Sequence, residues 1–274
     1  PPRRAGEGAK KPAGGPRPAG GGGAAPSGGG EGRRGRPAAN LTTRFEDGAV
    51  SGTKLPVLDA GEADFAIVVA RGAGREILLA RVDLKGPGVA MEPVESIDPS
   101  RSHFRLTLDR APAEKLRAAE GWATVERVLD AAAVLLAFEQ IGGAERCLEM
   151  ARDYALQRHA FGRPIGSYQA IKHKLADVWI AIEIARSNAY FGAWALANDA
   201  PELPVAAATA RVGASEAFWL ASKENIQTHG GMGFTWELDC HLYYRRANLL
   251  GLQLGSQRIW KDKLIARLET RNAA

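Results

Sequence analysis

The feature that most constrains this chain is a helical hydrophobic periodicity that begins at about residue 113 and continues to residue 268. Apolar residues recur at helical spacing in four segments, at about residues 122–159, 167–198, 204–231 and 237–268. Gly251 and Gly255 are expected to interrupt the last segment. Long helices joined by short loops predict an antiparallel four-helix bundle. Tryptophans at helical spacing, including Trp179, Trp194 and Trp260, are expected in the bundle core or at a subunit interface.

Residues 41–112 have a different pattern, with short β-rich runs separated by turn residues. Residues 65–70 and 77–82 flank a glycine-containing turn, and residues 103–108 alternate as a half-buried strand does. This spacing predicts a small antiparallel barrel or sandwich, although the segment is short for a closed one. The expected fold class is therefore α+β, mostly α, with a partial β-domain at 41–112 before the helical bundle at 113–274.

Residues 1–40 hold twenty Gly or Pro and no large apolar side chain, so we expect a disordered tail. They carry eight Lys or Arg against two Glu, a balance of +6, so the remainder of the +5 chain is near −1. Nucleic-acid binding is disfavoured because the tail has no aromatic residue to stack on bases. No secretory or membrane segment is visible, and we expect a cytoplasmic protein. The chain begins with Pro1 and not Met, which suggests a fragment or a misplaced start.

The stretch between the first two helical segments, YALQRHAFGRPIGSYQAIKHKLAD at residues 154–177, carries an unusual turn. Gly162 and Pro164 are expected to end the first helix, and Ser167 is expected to cap the second. The loop does not need Arg158 or Phe161 for its geometry. A cation beside an aromatic ring indicates contact with a flat, anionic ligand.

A second candidate lies where the third helix runs into a glycine-rich turn, from Gln227 through His229, Gly230 and Gly231. Glycines there leave backbone N–H groups free to approach an anion such as a pyrophosphate. The alternative is an ordinary helix C-cap with no ligand. Gln169, in the first turn of the second helix, is an amide suited to a ring edge or a phosphate. No cluster of His, Cys, Asp or Glu has metal-ligand spacing, so no metal is expected.

In order along the chain, the patterns YALxRxxFGxPIxxxQAIxxxLAD, QxxGGxGF and YRRA closely resemble the C-terminal domain of the acyl-CoA dehydrogenases. The stretches FGRPIGSYQAIKHKLAD and HLYYRRA also look similar to the actinobacterial heteromeric enzymes that act on steroid side chains. The resemblance implies FAD as cofactor, α,β-dehydrogenation of an acyl-CoA, electron transfer to an electron-transfer flavoprotein, and a homo- or hetero-oligomer. It implies that Arg158, Phe161 and Gln169 contact FAD held mainly by a neighbouring subunit. By the same resemblance Gln227, Gly230 and Gly231 approach the pyrophosphate and ADP part.

The chain departs from the family pattern where a catalytic base is needed. Leu254 stands at the usual position of a Glu, and Ala132 and Ala133 stand at the position used by a second subgroup. Glu139 is the remaining candidate, if burial raises its pKa. The alternative is a structural Glu139 paired with a cation such as Arg146 or Lys174.

The β-domain departs from the pattern as well. Gly52-Thr53-Lys54 matches the family, but residues 55–58 lack the tryptophan and hydroxyl residue expected beside the flavin. A non-catalytic structural subunit of a heteromeric enzyme and a truncated inactive copy therefore remain open alternatives.

Overall fold

A computed structural model describes residues 41–74, 76–116 and 121–273. The expectations for residues 1–40 lie outside this range. The described residues form five α-helices: α1 (Gly121–Gln157), α2 (Gln169–Ala197), α3 (Leu203–His229), α4 (Cys240–Leu252) and α5 (Gln257–Ala273). The fourth helical segment is divided at residues 253–256, where Gly255 has a φ of +104°. The predicted α+β, mostly α, fold class is confirmed.

Helix α3 lies at the centre of the bundle because it is covered in small side chains. Its alanines are almost completely buried against α1 and α2, and they include Ala207, Ala210, Ala214 and Ala217. Small residues allow close approach of the helix axes, with larger side chains filling the gaps. At Gly143 of α1, an added Cβ would lie 2.5 Å from the ring of Phe218. This contact explains why α1 has a glycine in its interior.

The β-domain contains six strands: β1 (Arg44–Glu46), β2 (Ala49–Leu58), β3 (Phe65–Arg71), β4 (Ile77–Asp83), β5 (Val89–Pro93) and β6 (His103–Lys115). Pairing runs β2-β1-β3-β4-β6, and β2 also pairs with β6, so these five strands form a closed circuit. β5 pairs with β6. The sheet therefore closes despite its short length. The β5 strand was not predicted, and the boundary placed at residue 112 falls inside β6.

Lys54 of β2 is buried in this domain. Its Nζ donates a hydrogen bond to the carbonyl of Val69, 2.8 Å away. It forms no ion pair with any residue that the structure describes. Burial without a countercharge lowers the pKa of Lys54 to about 8. In the segment that follows, Leu55 and Pro56 are exposed and Val57 and Leu58 are buried.

Candidate functional site

The turn between α1 and α2 is a β-hairpin. Residues 159–160 pair with residues 163–164 around a two-residue loop, in which Phe161 has a φ of +53° and Gly162 a φ of +78°. Positive φ at both central residues is typical of the type I′ hairpin turn, where Asn and Gly are favoured. A bulky residue in this conformation is strained. Phe161 is nevertheless 97% exposed. The hairpin therefore displays a phenyl ring to solvent at a conformational cost.

Residues next to the loop hold the hairpin in place. Tyr168 donates a hydrogen bond from its hydroxyl to the carbonyl of Ala160 at 2.9 Å. The guanidinium of Arg163 lies 4.0 Å from the centre of the Tyr168 ring. Ser167 donates to the carbonyl of Pro164 at 2.7 Å and does not cap α2, so that prediction is wrong. The Arg163 side chain therefore stabilises the hairpin through its contact with Tyr168.

Arg158 is the free cation of this turn. It is exposed, and its guanidinium makes no ion pair or hydrogen bond with any residue in the described ranges. Its backbone, in contrast, is held by hydrogen bonds to Tyr154 and Ile165. The guanidinium of Arg158 is therefore available to an external anion.

The glycine-rich turn after α3 has two kinds of glycine. Gly230 has a φ of +62°, and a Cβ at Gly230 or Gly231 would meet nothing within 4 Å. At Gly233, a Cβ would lie 2.6 Å from the carbonyl oxygen of Ile226. Gly233 is therefore required by packing, whereas the backbone at Gly230 and Gly231 is open to solvent. Because an added Cβ at Gly231 would have free space around it, packing does not require a glycine at this position.

Tyr154 joins the hairpin end of α1 to the glycine-rich turn. Its ring lies 4.3 Å from the ring of His229, and its hydroxyl is 3.9 Å from the sulfur of Met232. The two turns therefore lie at the same end of the bundle. His229 is buried, with Nδ1 2.8 Å from the carbonyl of Asn225 and its ring packed on that of Tyr154.

Gln169 and Gln227 are exposed at this end of the bundle, Gln169 as the first residue of α2 and Gln227 near the end of α3. Sequence reasoning did not single out Trp236, and it included Phe234 only as the last residue of the QxxGGxGF pattern. Phe234 is 76% exposed and Trp236 is 77% exposed. The guanidinium of Arg245 lies 5.0 Å from the Trp236 ring. A run of glycines followed by aromatic residues was a signal that could have identified them.

Glu139 is exposed and paired, which contradicts the expected burial. Its carboxylate lies 2.9 Å from Nη1 of Arg246. The alternative of a Glu139 paired with a cation is therefore found, but the cation is not Arg146 or Lys174, since Arg146 binds Glu149 and Lys174 binds Glu224. Burial was predicted because Glu139 interrupts an apolar run at residues 134–138, but its side chain points towards Arg246 of α4.

Arg246 connects the bundle to the β-domain. Its Nε lies 2.5 Å from Oδ2 of Asp98, and its Nη2 donates a hydrogen bond to the hydroxyl of Ser100. Burial pushes the pKa of Asp98 up, but hydrogen bonds from Ser100 and the charge of Arg246 outweigh it and lower that pKa. Arg246 therefore bridges Asp98 of the β-domain and Glu139 of α1. The Glu139 carboxylate is part of a structural ion-pair cluster.

Leu254 lies in the joint between α4 and α5, with a φ of +62°. It packs against both apolar clusters of the bundle, one of which contains Ala133. Leu254 and Ala133 therefore belong to the same apolar cluster of the bundle. Trp260 donates its indole N–H to the Leu254 carbonyl at 3.1 Å. Arg211 donates to the carbonyls of Leu250 and Gln253, which fixes the joint.

Arg211 is itself buried, and burial lowers its pKa to about 10. Its other hydrogen-bond partners are Gln140 and Ser215, both neutral. The carbonyls at the C-terminal end of α4 carry partial negative charge and stabilise the guanidinium. The α4–α5 joint is therefore a packed, hydrogen-bonded structure.

Comparison with known proteins decides the family. Residues 119–268 match the family model described as the acyl-CoA dehydrogenase C-terminal domain. That match spans 150 of the 274 residues, more than half of the chain. This chain belongs to the acyl-CoA dehydrogenase family.

Two similar acyl-CoA dehydrogenases come from Mycobacterium tuberculosis. Acyl-CoA dehydrogenase IpdE2 is 40% identical over 239 residues, which cover 86% of this chain and 67% of the relative. Acyl-CoA dehydrogenase FadE34 is 38% identical over 217 residues, which cover 79% of this chain and 29% of the relative.

Solved structures share the fold. The Tcur3481-Tcur3483 steroid ACAD G363A variant is 29% identical with a TM-score of 0.77, covering 85% of this chain and 63% of that one. The ChsE4-ChsE5 complex from Mycobacterium tuberculosis is 26% identical with a TM-score of 0.74, covering 83% and 62%. This chain therefore spans less than two thirds of the length of these two solved chains.

In the described ranges, no group of three or more His, Cys, Asp or Glu is placed to hold a metal ion. None of the helices in the described part of this chain is both long and apolar enough to cross a membrane.

Proposed function

We propose that this chain is a subunit of an FAD-dependent acyl-CoA dehydrogenase that converts an acyl-CoA thioester to the 2-enoyl-CoA. Its part is to contact the ADP side of a cofactor held mainly by a neighbouring subunit. The observation that carries the proposal is the end of the bundle that displays Phe161, an unpaired Arg158 and the open backbone at Gly230 and Gly231.

The residues at this end fit one half of the cofactor. Arg158 and the N–H groups near Gly230 and Gly231 suit phosphate oxygens, which favour cations and backbone donors. Phe161 supplies an aromatic face, and exposed Gln169 and Gln227 supply amides for ring edges. The flavin half of the cofactor fits poorly, since Leu55 and Pro56 in β2 stand where the family pattern has a tryptophan and a hydroxyl residue beside the flavin. The proposal therefore assigns the chain the ADP-side contacts.

When bound, FAD supplies the hydride acceptor, and its electrons pass to an electron-transfer flavoprotein. The reaction also needs a carboxylate to remove the α-proton of the thioester. Leu254 and Ala132 cannot act as that base, and the Glu139 carboxylate is held in an ion pair with Arg246. We therefore propose a heteromeric enzyme in which another subunit supplies the base, and we retain Glu139 as the alternative.

A second candidate function is a non-catalytic structural subunit that only stabilises an active partner. It is favoured by the packing of Leu254 into the bundle core and by the Arg246 ion pairs. The cofactor contacts distinguish it from the first proposal, because a purely structural subunit has no need for a strained, exposed Phe161.

The test is co-expression with a base-bearing acyl-CoA dehydrogenase subunit, followed by measurement of flavin absorbance and turnover of the purified complex. We expect a yellow complex with dehydrogenase activity. A colourless complex contradicts the proposal. In the same complex, Glu139→Gln should leave turnover unchanged if the partner supplies the base, and a loss of turnover with normal assembly assigns the base to Glu139.

A further inference from the structure

Trp236 lies between the glycine-rich turn and α4, and its indole ring is held in place although the side chain is 77% exposed. The centre of the ring lies 4.5 Å from that of His241, at an interplanar angle of 69°, and 5.0 Å from the guanidinium of Arg245. Just before it, the N–H and the hydroxyl of Thr235 both donate hydrogen bonds to the carbonyl of Met232, at 3.1 and 2.9 Å. The ring is therefore positioned both by α4 and by the chain that precedes it.

One face of the Trp236 ring is open. His241 and Arg245 are four residues apart on α4, so they project from the same side of that helix. Because both contact the indole from the α4 side, the exposed area of Trp236 belongs to the opposite face. An aromatic face that is already oriented loses little further conformational freedom when a flat group stacks on it. Single exposed apolar side chains are common on protein surfaces, so the fixed orientation, and not the exposure alone, distinguishes Trp236.

The open backbone at Gly230 and Gly231 lies close to Trp236. Residues 230–234 form a 3₁₀-helix. Such a helix rises about 2.0 Å per residue, and the next two residues add at most about 7 Å, so Gly231 and Trp236 are separated by at most about 13 Å. This separation places a site for phosphate oxygens and an aromatic face within the length of one adenosine diphosphate group.

The two ends of an adenosine diphosphate group need the two kinds of contact that are found here. Phosphate oxygens favour cations and backbone N–H groups, which Arg158 and the glycine-rich turn present. A purine base stacks on aromatic side chains without base-specific hydrogen bonds, so an open indole face is sufficient for it. A phosphate ligand without a base would have no use for Trp236, and a flat ring without phosphates would have no use for the open backbone.

We propose that Trp236 is the stacking platform for the adenine base of an adenosine diphosphate group whose phosphates lie at Gly230 and Gly231. This inference rests on the proposed function and adds the residue that receives the base. Two ligands of the proposed reaction, FAD and acyl-CoA, carry an adenosine diphosphate group. The two sources share the chemistry of the site, and the experiment distinguishes them.

The test compares ligands with and without the adenosine part: FAD against FMN, and CoA against pantetheine. Calorimetry measures each affinity in the flavin-free complex of this chain with a base-bearing subunit, for wild type, Trp236→Ala and Trp236→Phe. Trp219→Ala is the matched control, because Trp219 is 46% exposed and has the ammonium of Lys223 5.2 Å from its ring centre. It lies on α3 about 16 Å before Gly230. Circular dichroism confirms that each variant folds.

We expect Trp236→Ala to weaken FAD binding by about tenfold and to leave FMN binding unchanged. A tenfold loss is about 1.4 kcal/mol, which lies within the range for stacking of one base on an aromatic side chain. Trp236→Phe keeps an aromatic face and should retain most of the FAD affinity, and Trp219→Ala should retain all of it. If the adenosine diphosphate group is that of CoA, Trp236→Ala weakens CoA binding by the same factor and leaves pantetheine binding unchanged.

Equal affinities of wild type and Trp236→Ala for both FAD and CoA overturn the inference. An equal loss for all four ligands also overturns it, because it shows a general disturbance of the site and not the loss of a base contact. A wild-type complex that binds no FAD contradicts the proposed function. The comparison of CoA with pantetheine then decides the inference about Trp236 by itself, and absence of CoA binding overturns it.

Discussion

The buried amine of Lys54 gives a prediction whose size follows from the structure. A pKa lowered from 10.5 to about 8 means that keeping the amine protonated costs the folded state about 3 kcal/mol at pH 7, at about 1.4 kcal/mol per pH unit. Because the folded state releases this proton before the unfolded state does, stability should rise as the pH increases from about 8 towards 10.5. Lys54→Met removes the charge but leaves the Val69 carbonyl without its donor, at a cost of about 1–2 kcal/mol.

We therefore expect Lys54→Met to be more stable than wild type at pH 7 by about 1–2 kcal/mol and equal or less stable at pH 10. The assay is urea unfolding followed by far-ultraviolet circular dichroism. Tryptophan fluorescence in parallel reports the bundle alone, since all six tryptophans lie between residues 122 and 260. Lys115→Met, an exposed lysine of β6, is the control. A stability difference between Lys54→Met and wild type that stays constant from pH 7 to pH 10 would refute the reasoning.

Three further predictions concern the candidate site. Phe161→Asn should raise thermal stability slightly, because relief of left-handed strain is worth about 1 kcal/mol. The same substitution should weaken flavin retention in the complex. A loss of both thermal stability and flavin retention indicates a folding defect. Gly233→Ala should destabilise the chain by about 2 kcal/mol through overpacking, whereas Gly231→Ala should not. Equal melting temperatures of these two variants would show that the structure relaxes the close approach at Gly233. Leu254→Glu should lower the free energy of unfolding by about 2 kcal/mol without increasing turnover; a gain in turnover would show that the α4–α5 joint can present a base.

The bundle was predictable because periodicity reports which helix faces are buried, and those faces are long here. The ends of the helical segments were less predictable from the sequence. Ser167 has the composition of a helix cap, but its hydroxyl bonds Pro164 because the hairpin brings that carbonyl closer. The closure of the β-domain could not be read from the sequence, since it depends on β2 pairing with β6 about fifty residues later.

Part of the candidate site could likewise be predicted from local motifs, and part could not. Arg158, Phe161, Gly230 and Gly231 follow from local motifs, and the structure brings the two turns to one end through Tyr154. The state of Glu139 does not follow from local sequence, because its partner Arg246 is 107 residues away. Local spacing identifies which residue types lie on a face, but it does not identify the partner that meets them.

The central claim is that this chain holds part of a shared flavin through the α1–α2 hairpin. The most direct test is flavin affinity of the assembled complex with Arg158→Gln, compared with Arg127→Gln. Arg127 is an exposed arginine at the opposite end of α1, where it pairs with Asp199. We expect Arg158→Gln to weaken flavin binding by about tenfold, the loss of one charge-assisted contact of about 1.4 kcal/mol, and Arg127→Gln to have no effect. Unchanged flavin affinity with Arg158→Gln would contradict the account.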